Sequence, residues 1–226
     1  MTTTADETSA GSAVAGVDSR RTKTRALLAG GVLAGPLFVV VATAQVLTRD
    51  GFDLSRQPLS LLALGDLGWI QIANFVLTGL LALAGAVGLR RALRGQPGGS
   101  WGPALIAVHG IGLIIGGVLV SDPSMGWPAG APEGAPDTLS WHAVGHGVGA
   151  GLAFGSLPVA CLVFARAWWR AGQRGWAAFS VGSALAVVAI LAWPDQDTLS
   201  VRMALACLVT FGWLTALCTR PLTRTH

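Results

Sequence analysis

Six long apolar runs, separated by short polar segments, dominate the chain. Each run is close to the ~20 residues that a helix needs to cross ~30 Å of hydrocarbon at 1.5 Å per residue. None of them alternates polar and apolar positions with a period of two, the pattern of a transmembrane barrel. The pattern therefore predicts an all-α polytopic membrane protein, a bundle of six transmembrane helices over residues 26–218. The predicted helices cover about 26–47, 69–89, 101–121, 141–164, 175–193 and 201–218.

The two ends of the chain are polar. Residues 1–25 are rich in Thr, Ser, Ala, Gly and charge without apolar periodicity, which predicts a disordered cytoplasmic tail, and residues 219–226 form a second tail. The first run could instead be a cleaved signal peptide, since Ala42-Thr43-Ala44 resembles a cleavage site. However, this run exceeds the usual 7–15 apolar residues and is interrupted by Gly35-Pro36, so a retained helix is favoured.

Charge predicts the orientation and the environment. Hydrophobic residues make up 52% of the 226 residues and charged residues 12%, too few to cover a water-facing surface. Of the 15 Lys and Arg residues, 12 fall on one side of the predicted bundle, in the two tails and the second and fourth loops. The positive-inside rule then places both termini in the cytoplasm. The positive charge lies in short segments between apolar runs, so we expect a multi-pass protein of the cell membrane that binds no nucleic acid.

Glycine is abundant, with 31 residues. The fourth helix carries Gly147, Gly151 and Gly155 at a spacing of four. Small residues at this spacing allow two helices to approach closely. The pattern predicts helix packing within the bundle or, as a possible partner besides the lipid bilayer, a second copy of the chain.

Polar residues near the outer ends of helices 3, 4 and 5 form the sharpest chemical pattern. His142 and His146 lie one turn apart on one face of helix 4, a spacing that can chelate a metal. Asp122 and Asp195 end helices 3 and 5 at the same side and could complete a zinc site. Two histidines that bond to loop carbonyls are the simpler alternative, and it is favoured.

Further polar candidates lie in helices 1 to 3 and in the first outer loop. Asn74 shares a face of helix 2 with Gln71 and Thr78, which favours hydrogen bonding between helices. His109, near the middle of helix 3, is interpreted as structural. Arg56 is expected to pair with Asp53 or Asp122, or to bind a lipid phosphate, and Ser60 to cap a short helix.

The outer loop also carries a family resemblance. The stretch GFDLSRQPLSLLALGDLGWIQIANFVLTGLL, with the preceding AGPLFVVV, resembles the domain of unknown function 998 family, bacterial multi-pass membrane proteins. The resemblance runs over most of residues 26–218 and includes Ser60, Asp122, His142 and His146 as matching polar positions. It implies the fold and the membrane location. The family has no established activity, so the resemblance implies no substrate.

Three functions remain open at this point. A small helical bundle that binds a lipid or a partner fits all of the observations. A metal-dependent hydrolase would use His142, His146 and Asp122 around a metal-bound water. A small-molecule transporter is disfavoured because the chain has no clear inverted repeat and few charges at membrane depth.

Overall fold

The computed structural model describes residues 4–223, with side chains from residue 18 onward. The six helices are α1 (Thr4–Thr48), α2 (Gly68–Ala92), α3 (Trp101–Val118), α4 (Trp141–Arg170), α5 (Arg174–Ala192) and α6 (Leu199–Thr223). A short 3₁₀ helix (Leu59–Ala63) lies between α1 and α2. The α1 helix is longer than its apolar run and continues through residues 4–25, where composition predicts a disordered tail. Residues 1–3 and 224–226 lie outside the described residues.

All six helices are long and apolar enough to cross a membrane, and the membrane-spanning part of α1 runs from Asp18 to Thr48. At most half of each apolar span is buried inside the bundle, as expected where lipid covers the remainder. The predicted all-α polytopic architecture is therefore confirmed, and the chain is a multi-pass membrane protein.

The helices form a closed ring in sequence order. Each helix packs against its neighbours along the chain, and α6 packs against α1. Because successive helices run in opposite directions, the start of α1 and the ends of α2, α4 and α6 meet at one end of the ring, here called the terminal end. The 3₁₀ helix and residues 119–140 lie at the opposite end, here called the loop end.

Pairs of glycines set the closest helix contacts. A Cβ atom on Gly112 would lie 2.6 Å from the carbonyl oxygen of Gly149, and one on Gly79 would lie 2.6 Å from that of Gly110. Real Cβ atoms essentially never come this close to another atom, so a side chain would not fit at these positions. The backbone of α3 therefore lies directly against the backbones of α2 and α4. Gly147, Gly151 and Gly155 face open space instead, so the chain does not use this stripe for its own packing.

The α1–α6 contact is tight near the middle of the two helices. Gly35 lies against Phe211, where an added Cβ would come within 2.8 Å. Pro36 has no N–H to donate to the carbonyl of Val32. That oxygen instead accepts a hydrogen bond from the Thr215 hydroxyl, 3.2 Å away on α6. The interrupted Gly35-Pro36 sequence therefore belongs to a helix contact.

Polar side chains join neighbouring helices within the ring. Gln45 of α1 donates to Gln71 of α2 at 2.7 Å, and Asn74 donates to the Phe38 carbonyl at 3.2 Å. This confirms hydrogen bonding between helices for Asn74. At the end of α5, Arg202 donates to the carbonyls of Ile190 and Trp193, which satisfies acceptors that a helix terminus leaves free.

Candidate functional site

The 3₁₀ helix covers the loop end and is held in place from two sides. Arg49, just after α1, donates to the carbonyls of Leu62 and Leu64. The indole N–H of Trp127 donates to the Leu61 carbonyl at 2.9 Å, and the Arg49 guanidinium lies 4.8 Å from the Trp127 ring centre. Backbone acceptors of this short helix are thus bonded to side chains outside it, and its position is fixed over the ring.

Arg56 pairs with an acid, as predicted, but with a different partner, and Ser60 does not take its predicted role as an N-cap. Arg56 pairs with Glu133 at 2.8 Å, rather than with Asp53 or Asp122, because the fold brings residues 77 positions apart together. This hydrogen bond and charge raise the pKa of the Arg56 guanidinium. The predicted short helix exists, but Pro58 occupies its N-cap, and Ser60 lies within the helix and lines a cavity beneath it.

Asp122 and Ser140 join the end of α3 to the start of α4. The Asp122 carboxylate accepts from the Ser140 backbone N–H at 2.8 Å and from its hydroxyl at 2.6 Å. These bonds hold the pKa of Asp122 below its usual range. The Ser140 oxygen also accepts from the Ala143 N–H at 3.2 Å, the bond of a helix N-cap.

The order of these bonds differs from that of a hydrolytic triad. His142 Nδ1 lies 2.8 Å from the Ser140 oxygen and 3.2 Å from the Val120 carbonyl. In a triad, histidine lies between the acid and the serine and takes the serine proton. Here Ser140 lies between Asp122 and His142, and its proton is donated to the carboxylate. The arrangement is a helix cap and gives no support to hydrolysis.

His146 and His109 each bond to a backbone carbonyl through Nδ1. His146 Nδ1 lies 2.8 Å from the Gly116 carbonyl, and His109 Nδ1 lies 2.9 Å from the Ala153 carbonyl on α4. Because a carbonyl oxygen only accepts, Nδ1 carries the proton in each neutral ring. Nε2 is left as an acceptor in both. The structural role predicted for His109 thus accounts for only one of its two nitrogens.

The four predicted metal ligands do not form one site. Asp195 lies at the α5–α6 turn, where its carboxylate accepts from the Thr198 hydroxyl at 2.8 Å, the main cause of its lowered pKa. The Asp122 carboxylate accepts hydrogen bonds from Ser140, and its Oδ1 lies 3.8 Å from His142 Nδ1. Within residues 18–223, no three His, Cys, Asp or Glu side chains are placed to hold one metal ion. The described residues therefore do not assemble the predicted zinc site.

A cavity inside the ring, at the loop end, is lined by four polar side chains. It lies between α1, α3, α4 and α6 beneath the 3₁₀ helix, and its walls are largely apolar. Its volume is ≈ 60 Å³, more than the ~10–15 Å³ that one water needs. The polar side chains in its lining are Ser60, His109, His146 and Thr210.

Two of these side chains carry a buried atom without a partner. His109 and Thr210 are each 2% exposed. Neither Nε2 of His109 nor the hydroxyl oxygen of Thr210 has a hydrogen-bond partner among the described residues. A buried polar atom left unpaired costs about 1–3 kcal/mol. Because both residues line the same cavity, it is a candidate site for a small polar group.

A groove that faces the lipid lies next to the cavity. Towards the loop end, α1 and α6 diverge, and an apolar groove runs between them past Val39, Thr43 and Leu208. The groove and the cavity share four lining residues: Phe38, Leu59, Ala204 and Cys207. Leu208, on the groove side, is 49% exposed. These shared residues place the groove beside the cavity, on the outside of the ring.

The sequence reasoning missed two residues of this region. Ser140 directly precedes the apolar run of α4, which is the position of an N-cap, so its role was readable from sequence. Thr210 is one of two threonines within the apolar run of α6, and no local pattern separates it from the other, Thr215. Its significance depends on the helices that surround it.

A protein family described as "Protein of unknown function (DUF998)" matches residues 32–220, which is well over half of the chain. The chain therefore belongs to this family, and the resemblance carried by the loop between α1 and α2 is confirmed. No curated protein and no solved structure matches the chain.

Proposed function

We propose that this member of the DUF998 family is a non-enzymatic membrane protein that binds a slim apolar molecule bearing a hydroxyl group in the cavity at the loop end. The observation that carries the proposal is the pair of buried, unpartnered polar atoms, His109 Nε2 and Thr210 Oγ1, in one apolar cavity. The groove between α1 and α6 supplies the route by which an apolar tail reaches it.

Hydrogen-bond chemistry selects the ligand's polar group. His109 Nε2 is an acceptor and requires a donor from the ligand, whereas the Thr210 hydroxyl can donate to a ligand oxygen. A hydroxyl is the smallest group that both donates and accepts. An ether or an ester can serve Thr210 but leaves His109 unpaired.

Size and polarity select the rest of the ligand. A small cavity next to a lipid-facing groove favours a narrow chain over a bulky fused-ring body. The apolar side chains that line both the cavity and the groove favour an acyl or alkyl tail that extends into the bilayer. The ligand class is therefore a single-chain amphiphile with a terminal hydroxyl.

The membrane placement belongs to the same proposal. The basic terminal end faces the cytoplasm and the loop end faces the outside of the cell membrane, in line with the excess of Arg and Lys at the terminal end. The amphiphile then enters from the outer leaflet.

Photo-crosslinking in nanodiscs tests the binding site. The probe is a twelve-carbon alcohol with a diazirine on a carbon close to the hydroxyl, and its methyl ether is the matched probe that cannot donate. We expect the alcohol to label peptides of α4 and α6 that line the cavity, several-fold more strongly than the ether does.

Matched threonine variants complete the experiment. Thr210→Val keeps the shape and removes the cavity hydroxyl, so labelling by the alcohol should fall several-fold. Thr78→Val removes a hydroxyl that is also buried and unpartnered among the described residues but lies outside the cavity, so labelling should not change. Equal labelling by alcohol and ether, or equal labelling of the two variants, would overturn the proposal and leave a cavity that holds only water.

A further inference from the structure

The terminal end of the ring contains a second and larger cavity. It opens between the start of α1 and the ends of α2, α4 and α6. Its volume is ≈ 600 Å³, far more than the ~10–15 Å³ that one water needs. Its lining residues are separate from those of the loop-end cavity.

Five arginines line this terminal cleft: Arg20, Arg21, Arg25, Arg170 and Arg220. They come from three helices. The positive-inside rule explains why cations lie at this end, but it does not require them to converge on one hollow. Arg91 and Arg94 lie at the same end and do not line the cleft.

Arg220 is held in a defined position. Its guanidinium lies 4.9 Å from the ring centre of Trp168 and 4.9 Å from that of Trp176. Cation–π contacts on two rings restrict the arginine side chain before any ligand arrives. A guanidinium with a fixed plane suits the paired oxygens of a phosphate group.

The inner wall of the cleft is apolar. Its apolar lining includes the partly exposed Ala92, Leu93 and Pro221, with the buried Leu28, Leu89, Phe164 and Leu217 packed around them. A cationic rim above an apolar floor complements a molecule with an anionic head and a hydrocarbon tail. The size of the cleft agrees, since a lone phosphate ion would leave most of the space unfilled.

We propose that the terminal cleft binds the phosphate-bearing headgroup of an anionic lipid, with the arginines on the phosphate and the first carbons of the tails on the apolar floor. A free phosphate compound carries the same recognised group, so the experiment must separate the two sources. The inference is independent of the loop-end cavity and of its ligand.

Native mass spectrometry of the full chain, released from detergent, provides the test. The probes are phosphatidylglycerol, phosphatidylcholine with the same acyl chains, and inorganic phosphate as a competitor. We expect one phosphatidylglycerol to be retained per chain at concentrations where phosphatidylcholine is not. Inorganic phosphate at millimolar concentration should not displace the bound lipid. Full displacement would overturn the proposal that the ligand is a lipid.

Two double variants locate the binding. Arg20→Gln with Arg170→Gln removes two cations from the cleft and should weaken phosphatidylglycerol binding about 10-fold. Arg91→Gln with Arg94→Gln removes the same charge from the same end outside the cleft and should leave binding unchanged. Equal affinity of the two double variants, or equal retention of the two lipids, would overturn the assignment.

Discussion

The carboxylate of Asp122, four residues beyond the end of α3, accepts both the backbone N–H and the hydroxyl of Ser140, the N-cap of α4. The 17 residues between the two are closed into a loop by these bonds. The same serine oxygen caps α4 at Ala143. One side chain therefore sets the start of α4 and with it the height of His142 and His146 in the ring.

Removal of the cap should destabilise the loop end. Ser140→Ala removes the hydroxyl that accepts from Ala143, donates to Asp122 and contacts His142. Loss of an N-cap serine lowers the free energy of unfolding by about 1 kcal/mol. We expect a lower thermal unfolding midpoint in detergent. Ser121→Ala is the matched control, since the Ser121 hydroxyl makes no described hydrogen bond. An unchanged midpoint for Ser140→Ala would contradict this account.

The Asp122–Ser140 pair should also make stability depend on pH. The pKa of Asp122 is lowered in the folded chain, so its contribution is present above the ordinary aspartate pKa of ~3.9 and is lost as the pH falls through the lower folded value. The difference in unfolding midpoint between the wild type and Ser140→Ala should be constant from about pH 5 to 8. It should shrink below about pH 4, and growth on acidification would refute the assignment.

Glycine substitutions should separate packing contacts from lipid-facing positions. A Cβ on Gly149 would lie 2.7 Å from the Gly112 carbonyl oxygen, so Gly149→Val forces α3 and α4 apart at a cost of about 1–3 kcal/mol. Gly147→Val, two residues away, meets open space. Thermal unfolding should show a loss for the first variant only. If Gly147→Val instead reduces the mass of the particle in detergent, its face joins two copies of the chain.

Labelling of single cysteines should establish the orientation. In intact cells, a membrane-impermeant maleimide should modify Gly134→Cys at the loop end and not Gln96→Cys at the terminal end. After lysis both should react. The native cysteines lie within membrane-spanning helices, so the unmodified chain gives the background. The reverse pattern would place both termini outside the cell.

The sequence by itself determined the six helices and their approximate limits. The spans were readable because the transfer of ~20 apolar residues into a bilayer is a local property that neighbouring segments hardly alter. The asymmetry of Arg and Lys between the loops is equally local. The predicted hydrogen bonding of Asn74 also held, since few other partners exist for an amide at membrane depth.

Only the tertiary structure decided which polar atoms remain available. From the sequence alone, His109 and His146 could each be a metal ligand or a buried structural histidine. In the fold, each Nδ1 bonds to a backbone carbonyl, 44 residues away for His109 and 30 for His146, which leaves Nε2 free. The unpaired hydroxyl of Thr210 and the partner of Arg56 depend on contacts over similar distances. Such contacts arise from how whole helices pack, and local apolar patterns constrain packing only to one face of a helix.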